Sequence, residues 1–340
     1  MLLYQLKEGV FMFQFIAMTK GFLSVLLTVL NFLSFGLFGN FTAETKPLYD
    51  DCKVNFAVIS DVHMTDETAR ADMLRFGLQD MQTFESPLDA LILSGDITDH
   101  GEREEWENVA SAFADYTPAK NIILAQGNHD TWTGDDDYAL SREHFFEYNE
   151  KIAGREIDDV YYSTKINGYT FIVLGSEADH TSQTVSDEQV AWLAEEMEKA
   201  SQDGLPIFVI NHWPINESHG LPGTWGDDEP MPDDGGIGEK SDEVEAILKS
   251  YDNVFYITGH VHNGFVNDSQ KDTYTYSSVE SEGSFHSINM SQYMYLTGRG
   301  RIANGTGFVV EVYEDKVELR ARSFSAGVWY TDYNWSFDLV

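Results

Sequence analysis

Five short clusters of histidine, aspartate and asparagine are the residues of this sequence most able to do chemistry. Each cluster directly follows a run of apolar residues with the length of a β-strand. In chain order they are Ser60-Asp61-Val62-His63, Ser94-Gly95-Asp96-Ile97-Thr98-Asp99, Gln126-Gly127-Asn128-His129-Asp130, Asn211-His212-Trp213-Pro214 and Gly259-His260-Val261-His262. Imidazole, carboxylate and amide groups are common ligands of divalent first-row metals. The clusters therefore indicate a metal site.

The spacing within the clusters favours convergence on one site. Asp61 and His63 are two residues apart, so both side chains share a face while the chain stays extended, and the same holds for His260 and His262. In open α/β sheets, sites form beyond the carboxyl ends of the strands. One cluster alone would be weak evidence because Asp, Asn and Gly are common in turns. Several clusters at strand ends indicate a shared site.

The elements that must position these clusters alternate from Lys53 onward, which is typical of an α/β fold with a largely parallel or mixed sheet. The strand-like runs are Val54–Ser60, Leu91–Ser94, Asn121–Ala125, Tyr169–Leu174, Pro206–Asn211 and Asn253–Thr258. The helix-like runs are Thr65–Phe84, Glu102–Tyr116, Asp136–Ile152, Ser186–Ala200 and Lys240–Ser250, with Thr65 as a possible N-cap.

After about residue 270 the pattern changes to successive strand-like runs, which suggests a second sheet packed on the first. These runs are Tyr274–Val279, Ser287–Thr297, Gly307–Tyr313, Lys316–Ser323 and Val328–Phe337. We therefore expect a mainly β carboxyl-terminal part within a domain of residues 51–340. The Gly-, Pro- and Asp-rich stretch Gly220–Gly238 is typical of a long loop, and such loops are often functional.

The charge balance narrows the classes of ligand. The chain has 21 Lys and Arg against 57 Asp and Glu, a net charge of −36. Nucleic acid binding is not expected, because phosphate backbones are held by clustered cations. A site for small phosphate anions would need local positive charge, and metal ions are an obvious source. The single cysteine, Cys52, excludes an internal disulfide.

The first fifty residues predict a leader followed by a linker. The run Gly21–Gly39 is uncharged and mostly apolar, and Lys20 stands just before it. This pattern is typical of a signal peptide or an N-terminal membrane anchor, with Met18 as an alternative start to Met1. The alternative interpretation is a buried core helix. We expect an extracytoplasmic protein, secreted or anchored, with possible membrane association through this segment.

The motif set resembles the calcineurin-like metallophosphoesterase superfamily. Its motifs are D-x-H, G-D-x-x-D, G-N-H-D, a single His after a strand, and G-H-x-H, and all stand in order from Asp61 to His262. The resemblance covers about Asn55 to Gly264. It implies a four-layer α-β-β-α sandwich in which two mixed β-sheets are flanked by helices. It also implies a dinuclear metal site at the carboxyl-terminal ends of the strands.

The resemblance also implies a role for each motif residue. The ligands would be Asp61, His63 and His262 for the first metal, Asn128, His212 and His260 for the second, and Asp96 as the bridge between them. His129 would lie beside the substrate phosphate, and Asp130 could orient it. Two divalent ions would be bound, and the sequence does not choose among Mn, Fe, Zn, Co and Ni. The reaction would be attack of a metal-bridging hydroxide on a phosphomonoester or phosphodiester.

Two features bear on the branch of the family and its substrate. Purple acid phosphatases need a Tyr ligand three residues after the bridging Asp, and that position is Asp99 here. The string GDITDHGEREEW is similar to the branch that includes bacterial cyclic-nucleotide phosphodiesterases. The residues Trp213, His219 and Trp225 lie in or near the long loop after the ligand His212, and we expect them to contact a small-molecule leaving group.

Two alternatives stay open from the sequence. The same scaffold could hydrolyse the pyrophosphate bonds of nucleotides or of lipid-linked precursors. A metal-binding module without catalysis is the other alternative. Such a module would be expected to lose ligands, whereas all the motif residues from Asp61 to His262 are present.

Overall fold

The computed structural model describes residues 45–132, 138–178, 182–221, 235–270, 276–294 and 304–340. Residues Thr45–Val340 form one compact unit. Within the described ranges, no helix has both the length and the apolar character needed to cross a membrane. The predicted leader, including Gly21–Gly39, lies outside the described residues.

Strands and helices alternate through the first two thirds of this unit, and strands follow. The strands are β1 Val54–Ile59, β2 Ala90–Ser94, β3 Ile122–Ala125, β4 Tyr162–Ile166, β5 Tyr169–Val173, β6 Ile207–Ile210, β7 Val254–Thr258, β8 Val279–Glu282, β9 Phe285–Asn289, β10 Thr306–Val312, β11 Lys316–Ser323, β12 Val328–Trp329 and β13 Trp335–Asp338. The α-helices are α1 Thr68–Gln82, α2 Arg103–Asp115, α3 Tyr138–Ala153, α4 Asp187–Ser201 and α5 Ser241–Leu248.

The strands form two mixed sheets. The first has the order β12-β11-β10-β1-β2-β3, with β13 also paired to β11. In it β1, β2 and β3 are parallel, and β10 is antiparallel to β1. The second has the order β4-β5-β6-β7-β9-β8, in which β5, β6, β7 and β9 are parallel and the two outer strands are antiparallel to their neighbours.

The burial pattern shows why the strands are apolar on both faces. Alternate residues of β1 belong to different cores: Phe56 packs between the two sheets against Phe171 and Phe208, whereas Ala57 and Ile59 face the layer of α1, α2 and α3. The helices α4 and α5 cover the outer face of the second sheet. Strands covered on both faces read as continuous hydrophobic runs. The arrangement confirms the predicted fold of two mixed sheets flanked by helices.

The prediction that the strands after residue 270 form a second sheet is wrong. The strands of this region do not form a sheet of their own, because β8 and β9 extend the sheet of β5–β7 while β10–β13 extend the sheet of β1–β3. The run Val328–Phe337 is divided into β12 and β13. The edge strand β4 was not predicted. Thr65 is not the N-cap of α1, since Glu67 holds that position. Thr65 Oγ1 instead accepts a hydrogen bond from the backbone N–H of Glu67.

Candidate dinuclear metal centre

The carboxyl ends of parallel strands from both sheets bring the five clusters together. β1 and β3 end immediately before the first and third clusters, β2 ends at the first residue of the second cluster, and β6 and β7 end before the last two. Backbone hydrogen bonds tie the loops to one another: Asp61 N–H donates to Gly95 O at 3.1 Å, and His63 N–H donates to Asp96 O at 2.9 Å. Gly259 N–H donates to His212 O at 2.9 Å. The site is therefore built from loops that are bonded to one another.

The backbone at the site is strained at the residues that carry the chemistry. Positive φ angles occur at Asp61 (55°), His63 (44°), Asp96 (47°), His260 (72°) and His262 (53°). A non-glycine residue with positive φ is uncommon, and such residues cluster at functional sites where the surrounding structure holds them. Here the left-handed conformation turns the side chains that leave the strand ends toward one another.

One group of candidate ligands forms around Asp61. Ligand atoms of Asp61, His63, Asp96 and His262 all lie within 4.8 Å of one another. His262 Nε2 lies 3.1 Å from Asp61 Oδ1 and 3.9 Å from Asp96 Oδ2. His63 Nε2 lies 2.9 Å from His262 Nε2. The separations match a set of atoms that would surround one ion.

A second group forms on the other side of Asp96. Ligand atoms of Asp96, His212 and His260 lie within 4.8 Å of one another, and His212 Nε2 is 3.2 Å from Asp96 Oδ2. His260 Nδ1 is 3.2 Å from His212 Nε2. Asp96 belongs to both groups, as the predicted bridging role requires. The division of residues follows the sequence interpretation, and the ligand roles themselves stay a prediction.

The buried oxygens of the site fit divalent cations. Asp61 Oδ2 and Asn128 Oδ1 are buried and accept no hydrogen bond in the described structure. Asp96 Oδ2 is also buried and faces the ring nitrogens of His63, His212 and His262 at 3.2–3.9 Å. A buried carboxylate oxygen that lacks a hydrogen bond is costly unless a charge compensates it. Oxygen and imidazole donors together suit first-row divalent ions. The types of donor atom, and the buried oxygens among them that lack a hydrogen bond, therefore fit the metals that the motifs imply.

The carboxylates and histidines of the site shift one another's pKa values. Burial alone would raise the pKa of Asp96, but the charges of His212 and His129 outweigh it and hold the pKa well below its ordinary value. Burial would lower the pKa of His212, but Asp96 raises it to about 9. Hydrogen bonds to Asp61 and Asp96 likewise overcome burial and raise the pKa of His262 to about 10.

A surrounding layer of contacts orients the histidines. Asp99 Oδ1 lies 3.0 Å from His63 Nδ1, and Ser94 O lies 2.9 Å from His212 Nδ1, so each ring directs Nε2 into the cluster. Partners of this kind fix the tautomer of metal-ligating histidines. Arg70 donates to His63 O and lies 3.8 Å from Asp99 Oδ1. The sequence interpretation considered Asp99 only as a replacement for a tyrosine ligand and did not identify Arg70. The G-D-x-x-D spacing was the available signal for Asp99.

His129 lies beside the cluster and is held by Asp99 and Asp96. Its Nδ1 is 2.8 Å from Asp99 O, and its backbone N–H donates to Asp96 Oδ1 at 2.9 Å. The ring meets His63 edge to face, with centroids 4.5 Å apart. Because Nδ1 is engaged by Asp99 O, Nε2 is the other ring nitrogen that can make a polar contact. His129 lies outside the two groups around Asp96, but its ring also comes within 4.8 Å of ligand atoms of His63 and Asp99. Its role as a residue that is not a ligand stays a prediction.

Asp130 does not orient the His129 ring as the sequence interpretation expected. Its carboxylate accepts hydrogen bonds from the backbone N–H groups of Ile97, Thr98 and Gly127 at 2.8–3.2 Å, and from the Thr98 hydroxyl at 2.7 Å. Burial and the charge of Asp96 raise its pKa to about 6. Asp130 therefore fixes the loop of Asp96 against the loop of Asn128, and the carbonyl of Asp99 holds the His129 ring instead.

The predicted leaving-group contacts of Trp213 and His219 do not fit their positions. Trp213 is fully buried in the core under α4 and α5, where its ring packs against the rings of His212 and His260. His219 is also fully buried, with Nδ1 3.0 Å from Ser277 O and Nε2 2.8 Å from Ser287 Oγ. Neither side chain has a face for a substrate. Trp225 lies outside the described residues.

The open side of the site is marked by the exposure of its side chains. Asp61, Asp96, His63 and His212 are at most 2% exposed. In contrast, 33% of the His262 side chain, 23% of Asp99 and 22% of His129 are exposed. Among the described residues of the site, His262, Asp99 and His129 therefore mark the side that is open to solvent.

Comparison with known proteins agrees with this geometry. A family model described as calcineurin-like phosphoesterase matches residues 54–264, which is more than half of the chain. The chain belongs to the calcineurin-like phosphoesterase family. The matched residues include all five clusters and both groups of candidate ligands. The resemblance inferred from the motifs is thus confirmed.

Individual relatives are more distant. The chain is 26% identical over 165 residues to a probable cyclic nucleotide phosphodiesterase from Fibrobacter succinogenes, covering 47% of this chain and 57% of that protein. It is 30% identical over 131 residues to a probable cyclic nucleotide phosphodiesterase from Rhodococcus erythropolis, covering 37% of this chain and 39% of that one. The chain thus matches only about half the length of these relatives.

A solved structure shows the same fold. The crystal structure of a dimetal phosphatase from Danio rerio superposes with a TM-score of 0.59 at 13% identity, over 85% of this chain and 100% of that chain. At this identity the likeness concerns the fold, which includes the two-sheet arrangement that carries the site.

Proposed function

We propose that this chain is a metal-dependent phosphoesterase that hydrolyses phosphodiesters, with cyclic nucleotides among its candidate substrates. The observation that carries the proposal is the position of Asp96. Its carboxylate belongs to two groups of candidate ligands at once, and its buried Oδ2 lies 3.2–3.9 Å from ring nitrogens of both groups. A shared carboxylate between two ligand groups is the arrangement of a two-metal site.

Such a reaction would need different groups to supply Lewis acidity, to position the ligands and to contact the substrate. Two divalent ions would supply Lewis acidity, by lowering the pKa of a shared water and neutralising charge on the phosphoryl oxygens. Asp99 and Ser94 hold the rings of His63 and His212 so that Nε2 points into the cluster. His129, fixed through Nδ1, presents Nε2 to the substrate, where it can stabilise charge or protonate the leaving oxygen.

The charges at the open side favour a diester over a monoester. A phosphodiester carries one negative charge at neutral pH, whereas a monoester carries nearly two. The carboxylate of Asp99 stands at the entrance, and the guanidinium of Arg70 is directed to His63 O and Asp99. The second charge of a monoester would thus meet a carboxylate at the rim. The names of the two bacterial relatives support the same choice.

A substrate panel tests the proposal. Metal-free protein is supplied with Mn, Zn, Co, Ni or Fe and given a nitrophenyl monoester, a bis-nitrophenyl diester, a 3′,5′-cyclic nucleotide and a nucleoside diphosphate. We expect hydrolysis of the diester and the cyclic nucleotide, and a loss to background in Asp96→Asn. The matched control is Asp89→Asn, a buried carboxylate at the amino-terminal end of β2 that accepts a hydrogen bond from Asn55 N–H.

The outcomes of the panel are separable. If no phosphoester is hydrolysed above the Asp96→Asn background, the enzymatic proposal fails and a metal-binding module remains. Hydrolysis of the nucleoside diphosphate alone would instead favour the pyrophosphatase alternative. Activity that survives in Asp96→Asn and not in Asp89→Asn would contradict the assignment of the site.

We also propose an extracytoplasmic location, on the basis of the apolar run Gly21–Gly39 and the preceding Lys20. Fractionation of cells that express the full chain, with the mass of the recovered protein, tests this. Recovery outside the cytoplasm, either shortened or in the membrane fraction, would support the proposal. Full-length protein recovered only from the cytoplasm would contradict it.

A further inference from the structure

One aromatic ring that contacts His129 belongs to Trp132, a residue that neither the motifs nor the proposed reaction uses. Trp132 follows the G-N-H-D motif by two residues and is partly exposed. Its ring centroid lies 4.4 Å from that of His129, with the planes inclined by 46°. His129 is itself 22% exposed. The two partly exposed rings therefore lie side by side next to the candidate ligand His63, which His129 also contacts.

The backbone under Trp132 is held in place by hydrogen bonds. Thr131 N–H and its hydroxyl both donate to Asn128 O, at 3.0 and 2.7 Å, and Trp132 N–H donates to His129 O at 3.3 Å. Ser141 on α3 donates to Thr131 O at 2.8 Å. The Trp132 side chain therefore extends from a short, hydrogen-bonded turn that also carries the candidate ligand Asn128. The fold thus sets the distance between the indole and the site.

We propose that Trp132 is a specificity-determining residue, a stacking platform for a planar aromatic group of the substrate such as a nucleobase. This inference rests on the proposed function and names the substrate class of that site. Every nucleobase has a π-face, so an indole can stack on any of them without distinguishing one base from another. Stacking is also insensitive to the strongly acidic charge of the chain, because the base is neutral. The phosphate would lie at His129 and the base beyond it on Trp132.

The test compares two ligands that differ only in the base. Adenosine 5′-monophosphate and ribose 5-phosphate are titrated into the metal-loaded full chain by calorimetry. Both carry the same phosphomonoester, so any repulsion from Asp99 cancels in the ratio of their dissociation constants. The wild-type protein should bind the nucleotide about tenfold more tightly or better, from the stacking contribution of one base. In Trp132→Ala this ratio should fall to about one, and Trp132→Phe should restore part of it.

The control is Trp192→Ala, since Trp192 is a partly buried tryptophan on α4 that packs on Tyr161. It should keep the wild-type ratio. A ratio near one in the wild-type protein, or an unchanged ratio in Trp132→Ala, overturns the proposal. So does an equal weakening of both ligands in Trp132→Ala, because Trp132 would then act only through His129.

The binding ratio separates this inference from the proposed function. If the wild-type protein hydrolyses the bis-nitrophenyl diester but shows no preference for the base, only the platform is wrong. If it prefers the nucleotide through Trp132 but hydrolyses no phosphoester, the platform stands and the proposed reaction is wrong.

Discussion

At the scale of single residues, Asp99 contacts two histidines with different predicted roles, His63 and His129. Its side chain accepts from His63 in the candidate ligand set, and its backbone carbonyl accepts from His129 outside that set. Burial would raise the pKa of Asp99, but the hydrogen bond and charge of His63 outweigh it and lower the pKa, so the residue stays an acceptor. A change of its side chain should affect His63 while the contact to His129 remains.

Substitution of Asp99 by Ala should weaken metal binding and lower kcat/KM by about 10- to 100-fold, the usual loss when the partner of a ligating histidine is removed. Asp99→Asn should be milder, because its amide oxygen can still accept from Nδ1. Metal affinity and steady-state kinetics are measured on the same preparations. Asp159→Ala, which removes a surface ion pair with Arg142, is the control and should behave as wild type. An Asp99→Ala enzyme with unchanged metal affinity would show that the contact is incidental.

The residues of the site could be predicted where a motif specifies their spacing, and not where packing decides. The candidate ligands could be predicted because they directly follow strands, whereas their division into two groups around Asp96 came from the family resemblance. Trp213 was misplaced because its position next to His212 says nothing about which side of the strand end faces the core. Trp132 was missed because no motif contains it.

At the scale of elements, the site depends on how closely the loops after β2 and β3 approach each other. A Cβ atom at Gly127 would lie 2.2 Å from Asp96 N and 2.3 Å from Asp96 Oδ1. Both are shorter than any normal contact, and one of the atoms is backbone. Only a glycine lets the loop after β3 pass the bridging carboxylate at this distance.

Substitution of Gly127 by Ala should therefore displace Asp96 and abolish stable metal binding, while the fold is retained. Circular dichroism and metal analysis are the measurements. Gly154→Ala is the control: Gly154 follows α3 with a φ of 63° and open space around it, so it should lose stability and keep the metal. Equal metal contents in Gly127→Ala and wild type would contradict the close approach of these two loops.

The strand β9 carries a histidine that should make stability depend on pH. His286 packs against Phe255 and Phe337, and burial lowers its pKa to about 4. An unfolded histidine titrates near 6.5. Between these values the unfolded chain binds a proton that the folded chain does not, so this group's contribution to stability is full above pH 6.5 and declines as the pH falls toward 4.

Metal-free His286→Gln protein should accordingly lose less stability than wild type between pH 7.5 and pH 5. Urea unfolding at both values measures the difference. The comparison uses the change with pH within each protein, so a constant effect of the substitution cancels. A variant with the same or a steeper pH dependence than wild type would exclude His286 as a contributor.

The elements themselves were largely predictable, because strands buried on both faces are continuous apolar runs. The order of the strands was not. The region after residue 270 contributes to both sheets, and pairing between distant strands such as β1 and β10 leaves no periodic signal in either one. β4 was missed because YSTKI is an edge strand with alternating exposure and only one covered face.

At the scale of the whole molecule, stability and activity should be separable, because a second buried charged cluster lies on β10 and β11. Glu311 accepts from Arg320 at 2.6 Å and from Tyr313 at 2.6 Å, and both charged side chains are at most 7% exposed. The same pair holds the amino-terminal end of the described unit, since Arg320 donates to Lys46 O and Leu48 N–H donates to Glu311.

Substitution of Glu311 by Ala should cost about 3–5 kcal/mol of unfolding free energy, because it leaves the buried Arg320 without its carboxylate. The kcat/KM of the folded protein should not change. The control Glu107→Ala removes an exposed ion pair with Lys151 and should cost less than about 1 kcal/mol. Urea unfolding and a diester assay give both quantities. Comparable losses of stability in the two variants would contradict the importance assigned to burial.

The metal content of the purified chain tests the dinuclear centre most directly. After saturation with Mn and removal of free metal, elemental analysis should find about two ions per wild-type chain, as a two-metal site requires. Asp96→Asn should hold about one ion or none, and its diester hydrolysis should fall with it. A wild-type chain that holds no more than one ion at saturation, or an Asp96→Asn chain that still holds two, would contradict a dinuclear centre bridged by Asp96.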